Sequence, residues 1–327
     1  MTTTVTAKAH TNIALVKYWG KKDAQLMLPQ NGSISLTLDK FYTQTSVIFD
    51  NQLEQDQITF NGQTLTASKA QRISRFLDLV RQRSGQSAAA KVVTENHVPT
   101  SAGLASSASG FAALAAAASR AADMQLDNTA LSRLARRGSG SATRSIFGGF
   151  VEWHAGHDDA SSYAECLQDP VDWDVQMIAV VLKKTQKPIS STAGMARVVA
   201  TSPYYPAWVQ TANQDLVAMR RAIQARDLTT LGEIAETNAM RMHALNLSAK
   251  PAFNYFTAET LTAIQAVNDL RANGITCYYT LDAGPNVKII CAGHDTAMIT
   301  RELSRYFDSE QLIVAKPGPG ITISEND

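Results

Sequence analysis

Pro99-Thr-Ser-Ala-Gly-Leu-Ala-Ser-Ser-Ala-Ser-Gly110 is a loop dense in glycine and serine that runs into an alanine-rich stretch. Gly103 has no Cβ, so the backbone there can approach a ligand closely or take positive φ. Ser106 and Ser107 stand where a helix N-cap belongs. The first-turn N–H groups beyond them have no intrahelical partners and carry the positive end of the helix dipole. The functional reading is therefore a cradle for a polyphosphate. The alternative is a small-residue helix that packs closely on a sheet. Gly103 and Gly110 are too far apart for a Walker A loop, no Gly-Lys-Ser/Thr follows, and no GxGxxG is present.

Outward from this loop, the chain alternates short strands and helices. Val5–Ala9 and Ile13–Val16 read as two β segments bracketing His10-Thr11-Asn12. Ile34–Leu38, Thr43–Phe49, Ile58–Phe60 and Ala90–Glu95 are further strands, with a turn at Asn61-Gly62. Ile73, Phe76, Leu77 and Val80 give residues 71–82 helical periodicity. A helix from Ser107 to about Met124 carries almost no charge before Arg120, which predicts burial on several sides. Asp127 or Asn128 caps the next helix, which stops near Gly138. Gly148-Gly149 leads a strand, residues 154–162 read as an exposed loop, and Met177–Leu182 is an apolar strand. Helical periodicity then dominates about 205–247 and 257–272. Ile275–Leu281 and Val287–Cys291 form a hairpin-like pair, followed by a helix near 296–307 and a strand at 312–315. The order favours α+β over a doubly wound sheet, in two lobes, 1–183 and 184–327.

Composition narrows the function classes. The 327 residues are 45% hydrophobic and 18% charged, with a formal net charge of +1. That balance provides no general field for nucleic acid or a membrane surface, so an anionic ligand must be held by local cations. Cys166, Cys277 and Cys291 lack CxxC spacing, which argues against a disulfide framework or structural zinc and favours a reducing, cytoplasmic setting. No signal-peptide pattern or bilayer-length apolar run is expected.

Polar clusters interrupt these segments. Lys17-Tyr18-Trp19-Gly20-Lys21-Lys22-Asp23 follows an apolar strand and could hold charge at two anions, or be a solvated basic turn. Ser139-Gly140-Ser141-Ala142-Thr143-Arg144 offers hydroxyls and free N–H groups at a helix start, with Arg144 one turn in, as a second anion site. Its alternative is a capped helix whose Arg144 faces water. Asp282 in Leu-Asp-Ala-Gly-Pro-Asn is a turn former or a general base. Ser190-Ser191-Thr192 with Lys187 is a weaker cluster, again rich in donors. His154-Ala-Gly-His157 lacks H-E-x-x-H spacing, and no G-x-S-x-G elbow exists. Two phosphate-binding regions and one carboxylate are what phosphoryl transfer to a phosphorylated substrate requires.

These segments resemble the diphosphomevalonate decarboxylase family of the GHMP kinase superfamily over nearly the whole chain. The resemblance rests on residues 12–21, 29–38, 99–110, 139–144 with 148–153, 190–195 and 282–286. It implies a ribosomal-S5-like N-terminal lobe, a ferredoxin-like C-terminal lobe and an active site between them. It also implies ATP with Mg²⁺, a cytoplasmic homodimer, and conversion of mevalonate 5-diphosphate to isopentenyl diphosphate, ADP, phosphate and CO₂. Asp282 would then take or orient the proton of the C3 hydroxyl, with Lys17 beside it. Tyr18, Lys21, Ser139, Gly140, Ser141, Arg144, Ser191 and Thr192 would hold the substrate. Asn96, Ser101, Gly103, Leu104, Ala105, Ser106, Ser107 and Lys187 would hold ATP, Ser106 also serving Mg²⁺. Lys22 stands where many members have arginine, and Thr143 where cysteine is common; neither removes a required charge. A mevalonate or phosphomevalonate kinase that does not decarboxylate, and a nucleotide-binding regulator without turnover, are the alternatives.

Overall fold

The structure is a computed structural model that describes residues 3–97, 106–182 and 189–326. The chain runs β1 (Thr4–Val16), β2 (Lys21–Asp23), β3 (Leu28–Pro29), β4 (Ser33–Asp50), β5 (Gln57–Phe60), β6 (Gln63–Thr64), α1 (Ala67–Ser84), β7 (Ala89–His97), α2 (Ser106–Ala121) and α3 (Asn128–Gly138). A 3₁₀ turn over Gly140–Ile146 leads to β8 (Phe150–Trp153), β9 (Ala164–Gln168) and β10 (Gln176–Val180). Then come α4 (Ser191–Thr201), α5 (Tyr205–Ala225), α6 (Leu228–Ser248), α7 (Ala258–Ala272), β11 (Cys277–Leu281), β12 (Val287–Cys291), α8 (Thr296–Leu303), β13 (Leu312–Ala315) and β14 (Thr322–Asn326).

One mixed sheet has the order β14-β1-β4-β7-β5-β6, with β8 also paired to β4 and β9 to β8; a four-stranded sheet runs β11-β12-β10-β13. The architecture is α+β. The last strand, β14, returns to pair antiparallel with β1, so the C-terminus closes the first sheet.

Two expected strand pairs are single long strands. β1 runs unbroken through His10-Thr11-Asn12, and β4 joins the segments read at 34–38 and 43–49. Register shifts between His10 and Asn12 and between Ala14 and Val16 absorb the polar interruption as bulges, which bend a strand without ending it. The helical stretch read at 205–247 is two helices. Arg226 takes φ 57° and Asp227 caps α6, its Oδ1 accepting from Thr230 N at 3.0 Å. Residues 154–162 are not wholly exposed: Ser162 is buried, and its carbonyl and the Asp159 carboxylate receive the buried Arg136 guanidinium. Helix α4 was not anticipated; Ser190 caps it by accepting from Ala193 N at 3.2 Å.

Burial explains how the site is placed. In the first half of β1, Val5 and Ala7 are buried between half-buried neighbours and, with Ala9, share a core with the alanine-rich α2. From Ala9 to Val16 every residue is buried, because a second core of Ile13, Leu15 and Val16 forms with Met219 and Ile223 of α5 and Leu231 and Ala235 of α6. The chain thus leaves β1 inside the molecule, between two hydrophobic cores. Among the described residues no helix is long and apolar enough to cross a membrane.

Helix α6 also packs on β11, where a Cβ at Gly232 would lie 2.0 Å from the Tyr278 ring. Gly232→Ala must displace that ring or the helix. The expected outcome is a loss of about 1–3 kcal/mol in denaturant unfolding, with an unchanged m-value.

Candidate active site

Lys17 is the first residue beyond β1, and its side chain is 2% exposed. Its backbone is fixed from two sides: Lys17 N donates to Asn238 Oδ1 at 2.8 Å, and Asn31 Nδ2 donates to Lys17 O at 2.9 Å. The ammonium donates to Ala14 O at 2.7 Å and to Asp282 Oδ1 at 3.0 Å. Three residues on, Gly20 takes φ 132°, and a Cβ there would meet the Tyr205 hydroxyl at 1.7 Å. That hydroxyl donates to Trp19 O at 3.0 Å, so glycine is needed for the chain to turn this close to α5.

Asp282 occupies the turn between β11 and β12. Gly284 N donates to Asp282 O at 2.7 Å, Thr260 Oγ1 of α7 donates to Pro285 O at 2.8 Å, and Asn286 Oδ1 accepts from Leu182 N at 2.7 Å. The carboxylate meets a second lysine at its other oxygen, Lys288 Nζ lying 3.0 Å from Oδ2. Burial alone would raise the Asp282 pKa, but Lys17 and Lys288 outweigh it and hold the carboxyl below the usual carboxylate range. Burial pushes Lys17 down to about 8, against the attraction of Asp282.

A cavity of about 350 Å³ opens in front of this pair. Lys17, Tyr18, Lys21, Ser107, Ser139, Gly140, Ser141, Arg144, Ser191, Thr192 and Asp282, all singled out from the sequence, line it together. Asp282 is the one carboxylate among the described lining residues. Arg144 is not solvated: it is 2% exposed, with Nε donating to Asn12 Oδ1 at 3.1 Å and NH1 to Ser33 Oγ. Its burial lowers its pKa to about 10, which leaves it cationic at neutral pH. Ser139 Oγ lies 3.4 Å from Ser107 Oγ and 3.5 Å from Ser141 Oγ, a hydroxyl cluster at the start of α2. The Tyr18 hydroxyl is buried without a hydrogen-bond partner, and burial raises its pKa. A polar atom left unsatisfied at a cavity wall is what a ligand would satisfy.

Asn96 does not line this cavity. It sits on β7, where its Oδ1 accepts from Thr43 Oγ1 at 2.9 Å; Thr43 also shares a 2.8 Å hydrogen bond with Ser109 of α2. Ser101, Gly103, Leu104, Ala105 and Lys187 lie outside the described residues, as does the Ser106 side chain. Thr143 is fully buried and donates to Ser132 O at 2.9 Å, which removes it from the cavity. Sequence reasoning missed Lys288, Asn12 and Arg72. The signal for Lys288 was a lone lysine in an otherwise apolar strand. Arg72 lines the cavity from α1 and donates to Gly138 O at 2.8 Å. The group with metal-ligating geometry among the described residues, Glu152, His154 and Glu165, is already charge-paired, since Arg220 binds Glu152 at 2.7 and 3.1 Å.

A cationic cavity with one lysine-held carboxylate, between an alanine-rich helix and a hairpin of the second sheet, defines a site for a polyanionic small molecule. Residues 9–164 match the diphosphomevalonate decarboxylase-like N-terminal domain, and residues 177–318 match the mevalonate 5-diphosphate decarboxylase C-terminal domain. The diphosphomevalonate decarboxylase of Schizosaccharomyces pombe is 36% identical over 91% of this chain and 81% of its own. The mevalonate diphosphate decarboxylase of Enterococcus faecalis, solved in work on mevalonate diphosphate mediated ATP binding, is 45% identical over the whole of both chains, with a TM-score of 0.95. A complex of MDDEF with MVAPP, AMPPCP and magnesium is equally similar in identity, coverage and TM-score. The chain belongs to the diphosphomevalonate decarboxylase family, and it has that family's two-lobed GHMP-kinase fold.

Asn238 links α6 to the site, its Nδ2 donating to Asp215 Oδ2 at 2.8 Å. Asn238→Ala would leave the buried Lys17 N–H unpaired. The expected loss of stability is about 1–3 kcal/mol by thermal or denaturant unfolding, and Asn238→Asp should not recover it, because it sets a second buried carboxylate against Asp215.

Proposed function

We propose that this protein converts mevalonate 5-diphosphate and ATP to isopentenyl diphosphate, ADP, phosphate and CO₂, a step of the mevalonate pathway of isoprenoid biosynthesis. The observation that carries this reading is Asp282, a carboxylate gripped by lysines at the wall of a cavity whose other described charged residues are all cations. A kinase would also use such a carboxylate to receive the attacking hydroxyl's proton; the match of both halves of the chain to decarboxylase domains is what favours loss of CO₂ over simple phosphoryl transfer.

The substrate is anionic at both ends, through its carboxylate and its diphosphate. Tyr18, Lys21, Ser139, Gly140, Ser141, Arg144, Ser191 and Thr192 take these groups. The ATP phosphates lie on the loop at 101–107, with Gly103, Leu104 and Ala105 giving backbone approach and Lys187 adding charge. Asn96 supports the same end through Thr43 and Ser109. The hydroxyls of Ser107, Ser139 and Ser141 are hard oxygen donors that would suit a magnesium ion carried in with the ATP phosphates. Ser106 completes that set as the family resemblance implies. When bound, the ion neutralises charge on the transferring phosphates.

Asp282 takes or orients the proton of the C3 hydroxyl as its oxygen attacks the γ-phosphorus and the bond to ADP breaks. Lys17, hydrogen-bonded to the same carboxylate oxygen, keeps Asp282 ionised. Phosphate then leaves C3 with the C–O electron pair, and positive charge develops at that carbon. The electrons of the bond to the carboxylate move in to form the double bond, releasing CO₂. Most of the rate comes from holding two polyanions in line and offsetting their charge.

The reading includes a cytoplasmic setting, which the three free thiols suit, and a homodimer, which rests on the family resemblance. Asp282→Asn keeps the side-chain shape but abolishes the base. We expect it to fold and to bind ATP as the parent does, with turnover lowered about a thousandfold in steady-state assays. Turnover within tenfold of the parent would remove Asp282 from the chemical step.

A further inference from the structure

Lys288 does not line the cavity, yet it is charged, 2% exposed and sits in the middle of a sheet. It lies in β12, directly opposite Ala179 of β10 and Thr280 of β11. Side chains alternate along the strand: Val287, Ile289 and Cys291 join the core with α7 and α8, whereas Ile290 joins the core with β1 and α6. Lys288 therefore points to the same side as Ile290, toward the strand that delivers Lys17. Its ammonium has two acceptors, Asp282 Oδ2 at 3.0 Å and Asn286 O at 3.3 Å.

Taking an ammonium out of water costs several kcal/mol, and a buried ion pair is often replaceable by apolar residues without loss of stability. The apolar strand around Lys288 gives the fold no reason to keep a charge there. The carboxylate of Asp282 does. We infer that Lys288 is a positioning residue for the reaction proposed above: it grips Asp282 from behind through Oδ2, so that the carboxylate presents a fixed face to Lys17 and the cavity. The inference rests on that reaction for its rate effects but not for its charge effects.

The charged surroundings set the test. Around Lys17 stand Asp282 and Lys288 from the β11–β12 hairpin, Arg144 from the 3₁₀ turn, and His243 from α6. Burial and the nearby Lys17 push His243 down to about 3, so it is neutral here. Three cations thus share one carboxylate. Lys288 pushes Lys17 toward the neutral form, and Asp282 pulls it the other way. Lys17 is protonated below about 8 and neutral above it, so kcat/KM should fall through that pH. Removing the charge at 288 removes one repulsion, and the alkaline limb should move up.

The neutral replacement is made as both Lys288→Met and Lys288→Gln, with unfolding curves to show which is folded, beside Lys288→Arg. A folded neutral variant should lose kcat on the order of 100-fold, the size of a misplaced catalytic group, with KM for ATP changed less than about threefold. Its alkaline limb should rise by about one pH unit, and Lys288→Arg should restore both. The titration of the Lys17 side chain is also followed by ¹³Cε NMR in the substrate-free protein. There the midpoint should rise in the neutral variants whatever reaction the enzyme performs. A parent without CO₂ release but with that NMR shift would defeat the proposed reaction and leave the placement of Lys288 supported. A folded neutral variant with kcat within about twofold of the parent and an unmoved Lys17 titration would overturn the inference.

Discussion

A single ion pair between residues 265 positions apart, Lys17 and Asp282, joins the two sheets at the cavity. Neither charge could persist in such a place alone, because an unpaired buried ion costs several kcal/mol and losing one partner typically costs about 3–5 kcal/mol. The surrounding structure can be understood as what makes the pairing possible. β1 must be covered by α5 and α6 on its second face, so that Lys17 emerges inside. The Asp282 turn must be pinned by Thr260 and Asn286, so that its carboxylate meets the lysine. Replacing Lys17, Asp282 and Lys288 together by apolar residues would cost the fold little or nothing, so the value of the cluster lies in chemistry rather than stability.

Small side chains impose the second constraint. Ala112, Ala113 and Ala115 to Ala118 of α2 are fully buried, so that helix brings mostly methyl groups to the core it shares with the sheet. The close approach carries Ser107 to the hydroxyls of Ser139 and Ser141 and lets Ser109 bond Thr43 of β4. The helix dipole and the hydroxyl cluster therefore act on the same volume. Of the two readings of that stretch, the close-packing helix is what the described residues show, and its first turn lies beside the hydroxyl cluster.

Local sequence carried much of this. The periodicity of α1, the Asp127 cap, the turn at Asn61-Gly62 and strand β13 all follow from patterns within a few residues, and the structure has them. The cavity was legible because its polar clusters break apolar segments, and eleven of the singled-out residues meet there. Failures came where the cause was non-local. The bulges in β1 and β4 depend on pairing partners that no local pattern reveals, and the break at Arg226 needed a left-handed residue without glycine. Lys288 escaped notice because a lysine in an apolar strand acquires meaning only once Asp282 is seen opposite it. Arg144 read equally well as a solvated end of a helix until Asn12 and Ser33 were placed around it.

The site as a whole serves the coupling of phosphoryl transfer to carbon–carbon cleavage at one carboxylate. The direct measurement supplies mevalonate 5-diphosphate, ATP and Mg²⁺ to the purified protein and follows ADP and CO₂ in the same reaction. With phosphoryl transfer and cleavage coupled, the two should appear together, one for one, with inorganic phosphate. ADP released without CO₂ would show that phosphate is transferred and kept, and the site would then be that of a kinase.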